Sequence, residues 1–226
     1  MTTPFDFEQA RFNMIEQQIR PWDVLDLDVL GLLSIVKREN YVQPAQQTLA
    51  FVDVELPLTD QSDGPCMFPP RVEARLLQEL QLKSHEQVLE IGTGSGYMAA
   101  LLAHKGHKVT TIEIDAALAT RAQQVLAQNG VANVTVIEGN GFTQTPAAPS
   151  GGWDAIVLSG AVSNVPDALL KALKVGGRLI AIVGRLPAMH AQVMTRTTQQ
   201  TWETKTVFET AAPLLIGAPS TTEFTF

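Results

Sequence analysis

The chain has 226 residues, 45% of them apolar and 17% charged, with a formal net charge of −7. That length holds one large domain with an extension, or two small ones, and the acidic balance argues against a general nucleic-acid surface, which needs a basic patch or stripe. Cys66 is the only cysteine, so an internal disulfide is excluded and no cysteine-based metal site is expected.

The start, Met1 to Asp6, carries neither the basic stretch nor the apolar core of a signal peptide. A helix is expected over 6–19, with Asp6 and Gln9 placed as a capping box. Phe7, Met14, Ile15 and Ile19 fall near one face of it, and Pro21 ends the run. A second helical pattern covers 26–37 through Leu27, Leu30, Leu33 and Val36. Between 40 and 70, Pro44, Pro57, Pro65, Pro69 and Pro70 break the chain, and Asp60 to Gly64 reads as a polar turn. Long irregular segments in compact proteins are often functional. Residues 71–82 return to helical spacing through Val72, Leu76, Leu77 and Leu80.

From 86 onward the pattern alternates. Strands are predicted at 87–91, 108–113, 133–137, 153–159 and 178–183, and helices at 97–104, 116–128 and 166–174. That order implies a parallel sheet covered by helices on both faces. Residues 192–198 and 202–209 alternate apolar with polar, and read as an antiparallel hairpin at the sheet edge, although their turn lacks glycine. Two regions are expected: 1–82, a helical extension with a substrate-side loop, and 83–226, a cofactor-binding domain. No apolar run approaches 18 residues, so no membrane-spanning helix is expected. A cytoplasmic enzyme fits these features.

The most informative stretch is Val88-Leu89-Glu90-Ile91-Gly92-Thr93-Gly94-Ser95-Gly96-Tyr97. An apolar run ends in an acid, then glycines alternate, then a helical pattern begins at Met98. Strand, tight turn and helix in that order hold a nucleotide-type cofactor at the carboxyl end of a parallel strand, where amide groups meet an anionic or carboxylate group. The dinucleotide fingerprint G-x-G-x-x-G fails from Gly92 because position 97 is Tyr, and passes from Gly94 only with Ala99 as its last residue. The acidic-x-G-x-G-x-G signature of S-adenosylmethionine-dependent methyltransferases matches Glu90 to Gly96 without adjustment. Glu113, at the end of the next predicted strand, is placed to accept both ribose hydroxyls of an adenosine. The competing reading is a glycine turn that only packs helix on strand.

At this point the chain resembles the protein-L-isoaspartate (D-aspartate) O-methyltransferases, from about Phe12 to about Gly217. The Val88–Tyr97 stretch carries the resemblance, with Asn133-Val134-Thr135-Val136, Glu138-Gly139-Asn140-Gly141, Trp153-Asp154-Ala155-Ile156-Val157, Val165-Pro166 and Leu173 to Leu179. Upstream, Lys37-Arg38-Glu39-Asn40-Tyr41-Val42 resembles the family's Pro-Arg-Glu-x-Phe-Val segment, and Ala74-Arg75 also fits. The resemblance implies an α/β, Rossmann-like methyltransferase sheet with a C-terminal antiparallel hairpin and an N-terminal helical extension. It implies S-adenosyl-L-methionine as cofactor, held by Glu90 and the turn Gly92, Thr93, Gly94, Ser95, Gly96 at its methionine part. Glu113, with Ile114 next to it, would hold the ribose. The turn Gly139-Asn140-Gly141 would face the adenine, with Asn140 where the family usually has Asp. Asn still accepts through its carbonyl oxygen, without the charge.

One departure stands out. The family's Thr-Ile-Ser-x-Pro segment, whose Ser hydroxyl is thought to orient the substrate carboxylate, is here Cys66-Met67-Phe68-Pro69-Pro70. Phe68 therefore stands at the position of the family's catalytic-site Ser, and the loop has lost its hydroxyls. A site built around a polar substrate group loses discrimination when that bond goes. Phe68 either fills the acceptor pocket or lines it for an apolar acceptor. Methyl transfer to a carboxylate needs little acid–base help, only approach, alignment and exclusion of water. The acceptor is thus a protein or peptide carboxylate, as in the family, or a small molecule to which the site has drifted. A cofactor-binding protein without catalysis is the alternative, and a nicotinamide oxidoreductase is disfavoured by Tyr97 and Glu90. Cys66 is read as a packed loop residue, His104 and His107 as sitting in a helix C-terminal dipole field, and Trp22, Trp153 and Trp202 as packing residues.

Overall fold

A computed structural model describes residues 5–61 and 64–219 of the chain. The expectations for the first four residues, for part of the polar turn near Asp60 and for the last seven residues lie outside it.

The N-terminal helix is shorter than its periodicity suggests. α1 spans Phe7–Met14, and the chain then widens into a π turn over Ile15–Ile19 and tightens into a 3-10 turn over Arg20–Trp22. Pro21 accounts for this, because its ring meets the carbonyl four residues earlier and it has no N–H to continue the α ladder. Asp6 caps α1 by accepting from the Gln9 amide at 3.0 Å, but the Gln9 side chain donates to Asn13 at 2.9 Å, so only half of the capping box forms. α2 spans Leu27–Ile35, and its N-cap Asp26 accepts from the amides of Asp28 and Val29. The irregular segment then builds 3-10 turns over 38–40 and 44–51 and a small antiparallel pair, β1 (Leu56–Pro57) with β2 (Cys66–Met67). α3 spans Pro70–Leu80, with Pro at its first position where no amide is needed.

The remaining elements follow the predicted alternation. β3 is Gln87–Ile91, α4 Tyr97–Lys105, β4 Lys108–Glu113, α5 Ala116–Gln128 and β5 Val134–Glu138. β6 is Trp153–Val162, α6 Asp167–Lys171, β7 Leu173–Arg185, β8 Ala188–Arg196 and β9 Trp202–Glu209. α6 is shorter than expected and β7 longer, because Trp153 already pairs with Leu173 before the main β6–β7 register resumes at Ala155 and Arg178. The turn between β8 and β9 has no glycine because threonines close it. The Thr197 amide donates to the Thr201 carbonyl at 3.0 Å, and the Thr198 and Thr201 hydroxyls meet at 2.7 Å.

The sheet runs β5-β4-β3-β6-β7-β8-β9, the first five strands parallel and the last two antiparallel. The expected methyltransferase-type sheet with its C-terminal hairpin is therefore formed. Successive residues of β3 face opposite sides. Val88 joins the apolar core that α1 to α4 share with one face, while Leu89 and Ile91 join Ile112, Ile156 and Leu158 on the other. Connections from β3 run first toward β4 and β5, whereas β6 lies on the other side of β3. The crevice where the order reverses, beyond the carboxyl ends of the strands, is where such sheets hold ligands.

Candidate active site

The glycine turn sits at that crevice. Gly92 has φ +92° and Gly94 φ +51°, conformations that favour glycine. A Cβ on Gly92 would stand 2.7 Å from the Leu215 side chain, and one on Gly94 would stand 2.9 Å from that of Leu58. Gly96 instead faces α5, where a Cβ would touch Ala122 and Leu126 at 3.4 Å. Not every amide of the turn is offered to a ligand. The Gly92 amide donates to the Ile112 carbonyl at 2.9 Å, that of Gly96 to Thr93 at 2.8 Å and that of Gly94 to Glu113 Oε2 at 2.7 Å. Among the described residues the amides of Thr93 and Ser95 meet no backbone carbonyl, and both residues are buried.

Glu113 is thus brought against the turn by the parallel register of β3 and β4. Its Oε1 accepts from the Asp115 amide at 3.1 Å, and its carboxylate is buried on the wall of a cavity of about 240 Å³. Gly92, Gly94, Ile114, Cys66 and Phe68 share that wall. Ile112, Leu118 and Leu215 add apolar surface. A carboxylate beside an apolar slot, with a turn too close-packed for side chains at one end, fits an adenosine-type group with a polar tail.

Glu90 does not reach into this cavity. It is fully buried, and its two oxygens accept from Thr111 Oγ1 at 2.6 Å and Ser159 Oγ at 2.7 Å. The Thr111 hydroxyl also meets that of Thr93 at 2.7 Å. One carboxylate therefore ties β3 to β4, to β6 and to the glycine turn. Burial pushes its pKa up to about 8; the two hydroxyl donors pull against that, and the charges of Glu113 and Glu73 add to the rise.

A second, smaller cavity of about 30 Å³ adjoins the first, sharing Leu58, Cys66, Phe68, Gly92, Gly94 and Ser159 with it. Met67, Glu90, Thr93 and Ser95 line it too, as does Glu73. The 66–68 loop is held in place from behind by Arg38, which is fully buried. Its guanidinium donates to the Phe68 carbonyl at 2.7 Å and to the Ala50 carbonyl at 2.9 Å, and makes a short ion pair with Glu73 Oε2. Phe68 is 5% exposed, so its ring is packed while it lines both cavities. The Cys66 thiol is pushed up to about 12, chiefly by burial and further by the Glu55 carboxylate, so it stays protonated.

The Gly139-Asn140-Gly141 turn lies beside the large cavity rather than on its wall. Asn140 Oδ1 accepts from the Phe142 amide at 2.9 Å, and its amide nitrogen lies next to Gly217. One lone pair of Oδ1 remains for a ligand.

Several contributors escaped the sequence reading, Leu215, Ser159 and Glu73 among them. Leu215 comes from the segment after β9, which returns to β6 through bonds between Ala161 and both Pro213 and Leu215, each 2.8 Å. Nothing local in the sequence marks that return. Ser159 lies within a run read only as a strand. Glu73 did carry a signal, since with Leu76 and Leu77 it occupies one helix face at spacing i, i+3, i+4. A carboxylate on a core-facing stripe needs a partner, and Arg38 supplies it.

The family model for protein-L-isoaspartate(D-aspartate) O-methyltransferase matches residues 10–213. A protein-L-isoaspartate O-methyltransferase of Herpetosiphon aurantiacus is 37% identical over 213 residues, covering 94% of this chain and 92% of the relative. One from Gloeobacter violaceus is 36% identical over 208 residues, covering 91% and 98%. Among solved structures, a Plasmodium falciparum chain described as a protein-L-isoaspartate O-methyltransferase in complex with S-adenosyl-L-homocysteine superposes with a TM-score of 0.76 at 18% identity, covering 93% of this chain and 98% of its own.

Proposed function

Because the chain belongs to the protein-L-isoaspartate(D-aspartate) O-methyltransferase family, we propose that its two adjoining cavities are the cofactor and acceptor halves of one methyl-transfer site. The enzyme is an S-adenosylmethionine-dependent methyltransferase. S-adenosylmethionine supplies an electrophilic methyl group on a sulfonium. On this reading the amides of Thr93 and Ser95 hold its methionine part, and Gly92, Gly94 and Gly96 let the backbone come close. Glu113 takes the ribose hydroxyls, Ile114 packs against the adenosine, and the Gly139–Asn140–Gly141 turn lies at the adenine end. Glu90 keeps the turn in register with the neighbouring strands. The observation that carries this assignment is the Glu113 carboxylate bonded to the Gly94 amide on the wall of the larger cavity.

The acceptor half is the 66–68 loop over the smaller cavity. The curated relatives are named for L-isoaspartate, and a carboxylate of a damaged protein is the family's acceptor. Here Phe68 and Cys66 replace the hydroxyls that would meet such a carboxylate, so isoaspartyl peptides are poor substrates and the acceptor has drifted. A cytoplasmic location agrees with the single cysteine, and no helix among the described residues is long and apolar enough to cross a membrane.

Calorimetric titration tests the cofactor half: S-adenosylmethionine or S-adenosylhomocysteine binds in the micromolar range and NAD far more weakly. Tight NAD binding with no S-adenosyl signal would overturn it. For the acceptor half, Cys66→Thr with Phe68→Ser should raise methyl transfer to an isoaspartyl peptide by about ten- to a hundredfold, the worth of a hydrogen bond to a charged group felt in the transition state. Initial rates with labelled cofactor decide it. Parent activity equal to that of the double variant would show that the loop does not set acceptor choice.

A further inference from the structure

Among the described residues none before Leu58 lines either cavity, yet the N-terminal helix is tied to the acceptor loop through one short segment. Lys37, Arg38 and Glu39 are consecutive, and their side chains divide between two destinations. Lys37 Nζ donates to Glu8 Oε1 at 2.9 Å, and Glu39 Oε1 takes the Arg11 guanidinium in a short ion pair. Both of those partners belong to α1. Arg38 instead reaches Glu73 and the Phe68 carbonyl. The neighbours Ala50 and Phe51 are divided in the same manner. The Ala50 carbonyl accepts from Arg38, whereas the Phe51 carbonyl accepts from Gln18 Nε2 at 3.0 Å. The Phe51 ring centre lies 6.0 Å from the Arg11 guanidinium carbon and 5.9 Å from the ring of Phe7. Gln18 belongs to the π turn, a widening of a kind frequent at functional sites. Arg11 and Glu39 are both buried, and Glu39 Oε2 meets no other donor among the described residues. A carboxylate placed in this way depends on its one cation.

We propose, building on the assignment of the 66–68 loop as the acceptor half, that Arg11 is a positioning residue for methyl transfer. It lines neither cavity and acts through its neighbours. Arg11 fixes Glu39, the turn over 38–40 then fixes the Arg38 guanidinium, and Arg38 holds the Phe68 carbonyl and with it the wall against which an acceptor is aligned. Methyl transfer to an anion depends on approach and alignment, and a displacement of about 1 Å made far from the chemistry can cost about a hundredfold in rate. The cofactor half does not share this dependence. The glycine turn and Glu113 are held by the register of β3 with β4 and by bonds to the Gly94 and Asp115 amides, none of which involves α1. A change at Arg11 therefore separates turnover from cofactor binding.

Cys66, the only thiol of the chain, reports on the loop directly. Burial keeps it protonated, with its pKa up at about 12, so it reacts slowly with a disulfide reagent until the loop opens. Three full-length variants are compared with the parent: Arg11→Met, Arg11→Met with Glu39→Leu, and Leu169→Ala. The last is a large-to-small change in the core beneath α6, away from α1. Arg11→Met should speed labelling of Cys66 by about tenfold, as local opening becomes easier. It should lower kcat for an isoaspartyl peptide by about ten- to a hundredfold, with S-adenosylhomocysteine affinity unchanged by calorimetry. Adding Glu39→Leu removes the stranded charge, so the denaturant midpoint should return most of the way. Fast labelling and slow transfer should persist in that pair, because the tie to α1 is still missing. Leu169→Ala should lower the midpoint without either effect. Labelling and turnover that recover with stability in the pair, or that track stability equally in Leu169→Ala, overturn the proposal and leave the ion pair a stabilising contact. If Arg11→Met does not fold, the apolar pair decides alone, and parental labelling and turnover in it are equally fatal. Faster labelling with unchanged transfer would instead take the loop out of the acceptor site and remove the assignment beneath the proposal.

Discussion

The two halves of the proposed site are built in different ways. The cofactor half comes from residues close in sequence, Gly92 to Gly96 and Glu113, held by backbone geometry and by the register of two adjacent parallel strands. The acceptor half gathers Arg38, Leu58, Cys66 to Phe68, Glu73 and Ser159 from distant segments, and its keystone is a buried ion pair. Local backbone geometry resists changes in packing elsewhere. A buried pair does not, because removing one partner strands the other charge in a dry interior.

The largest effect that tests this contrast is Arg38→Met. It leaves the Glu73 carboxylate unpaired and frees the Phe68 and Ala50 carbonyls, so global stability should fall by about 3–5 kcal/mol. Denaturant unfolding measures it, and the fraction that remains folded should bind cofactor with near-parental affinity. A stability loss below about 1 kcal/mol would mean that the pair is not what holds the loop. Adding Glu73→Leu should restore much of the loss, since apolar replacement of a buried pair is often neutral.

Next in size is Glu113→Gln on the cofactor side. It keeps an acceptor for the Gly94 amide but removes the charge that strengthens bonds to hydroxyls, so cofactor affinity should drop by roughly ten- to a hundredfold, ~1.5–3 kcal/mol. The expected change in unfolding stability is small. Equal affinities by calorimetry would take Glu113 out of the site.

A third effect, on pH dependence, concerns Glu90. Burial holds its folded pKa above the ordinary carboxylate value of 4.5, at about 8. The fold therefore favours the protonated form, and the associated stability is complete below about pH 4.5 and is lost as pH rises toward 8. Glu90→Gln removes that titration, and the Thr111 and Ser159 hydroxyls can turn to suit the amide. The decline in stability between pH 5 and 8 should flatten; Glu73, raised to about 7, supplies the slope that remains. An unchanged pH profile would mean that Glu90 is not buried as a reluctant acid.

Much of the cofactor half was legible in the chain itself. Strand, glycine turn and helix are consecutive, hydrophobic periodicity locates β3, β4 and α5 to the residue, and parallel pairing then leaves little freedom in where Glu113 falls. Periodicity failed where a single residue overrode it, as Pro21 does in the N-terminal helix, and where strand pairing captured residues with weak local preference, as at Leu173. The acceptor half was visible only as a substitution, Phe68 and Cys66 in place of hydroxyls. That Arg38 spends its donors behind the loop, that Glu73 faces the cavity, and that Leu215 returns over Gly92 are all contacts between residues far apart in sequence. Local propensity and spacing cannot specify such contacts, because they are set by how helices, loop and sheet pack together. The sequence by itself therefore determined the sheet, the turn and the class of cofactor, while the tertiary structure alone decided the charge and shape that an acceptor meets.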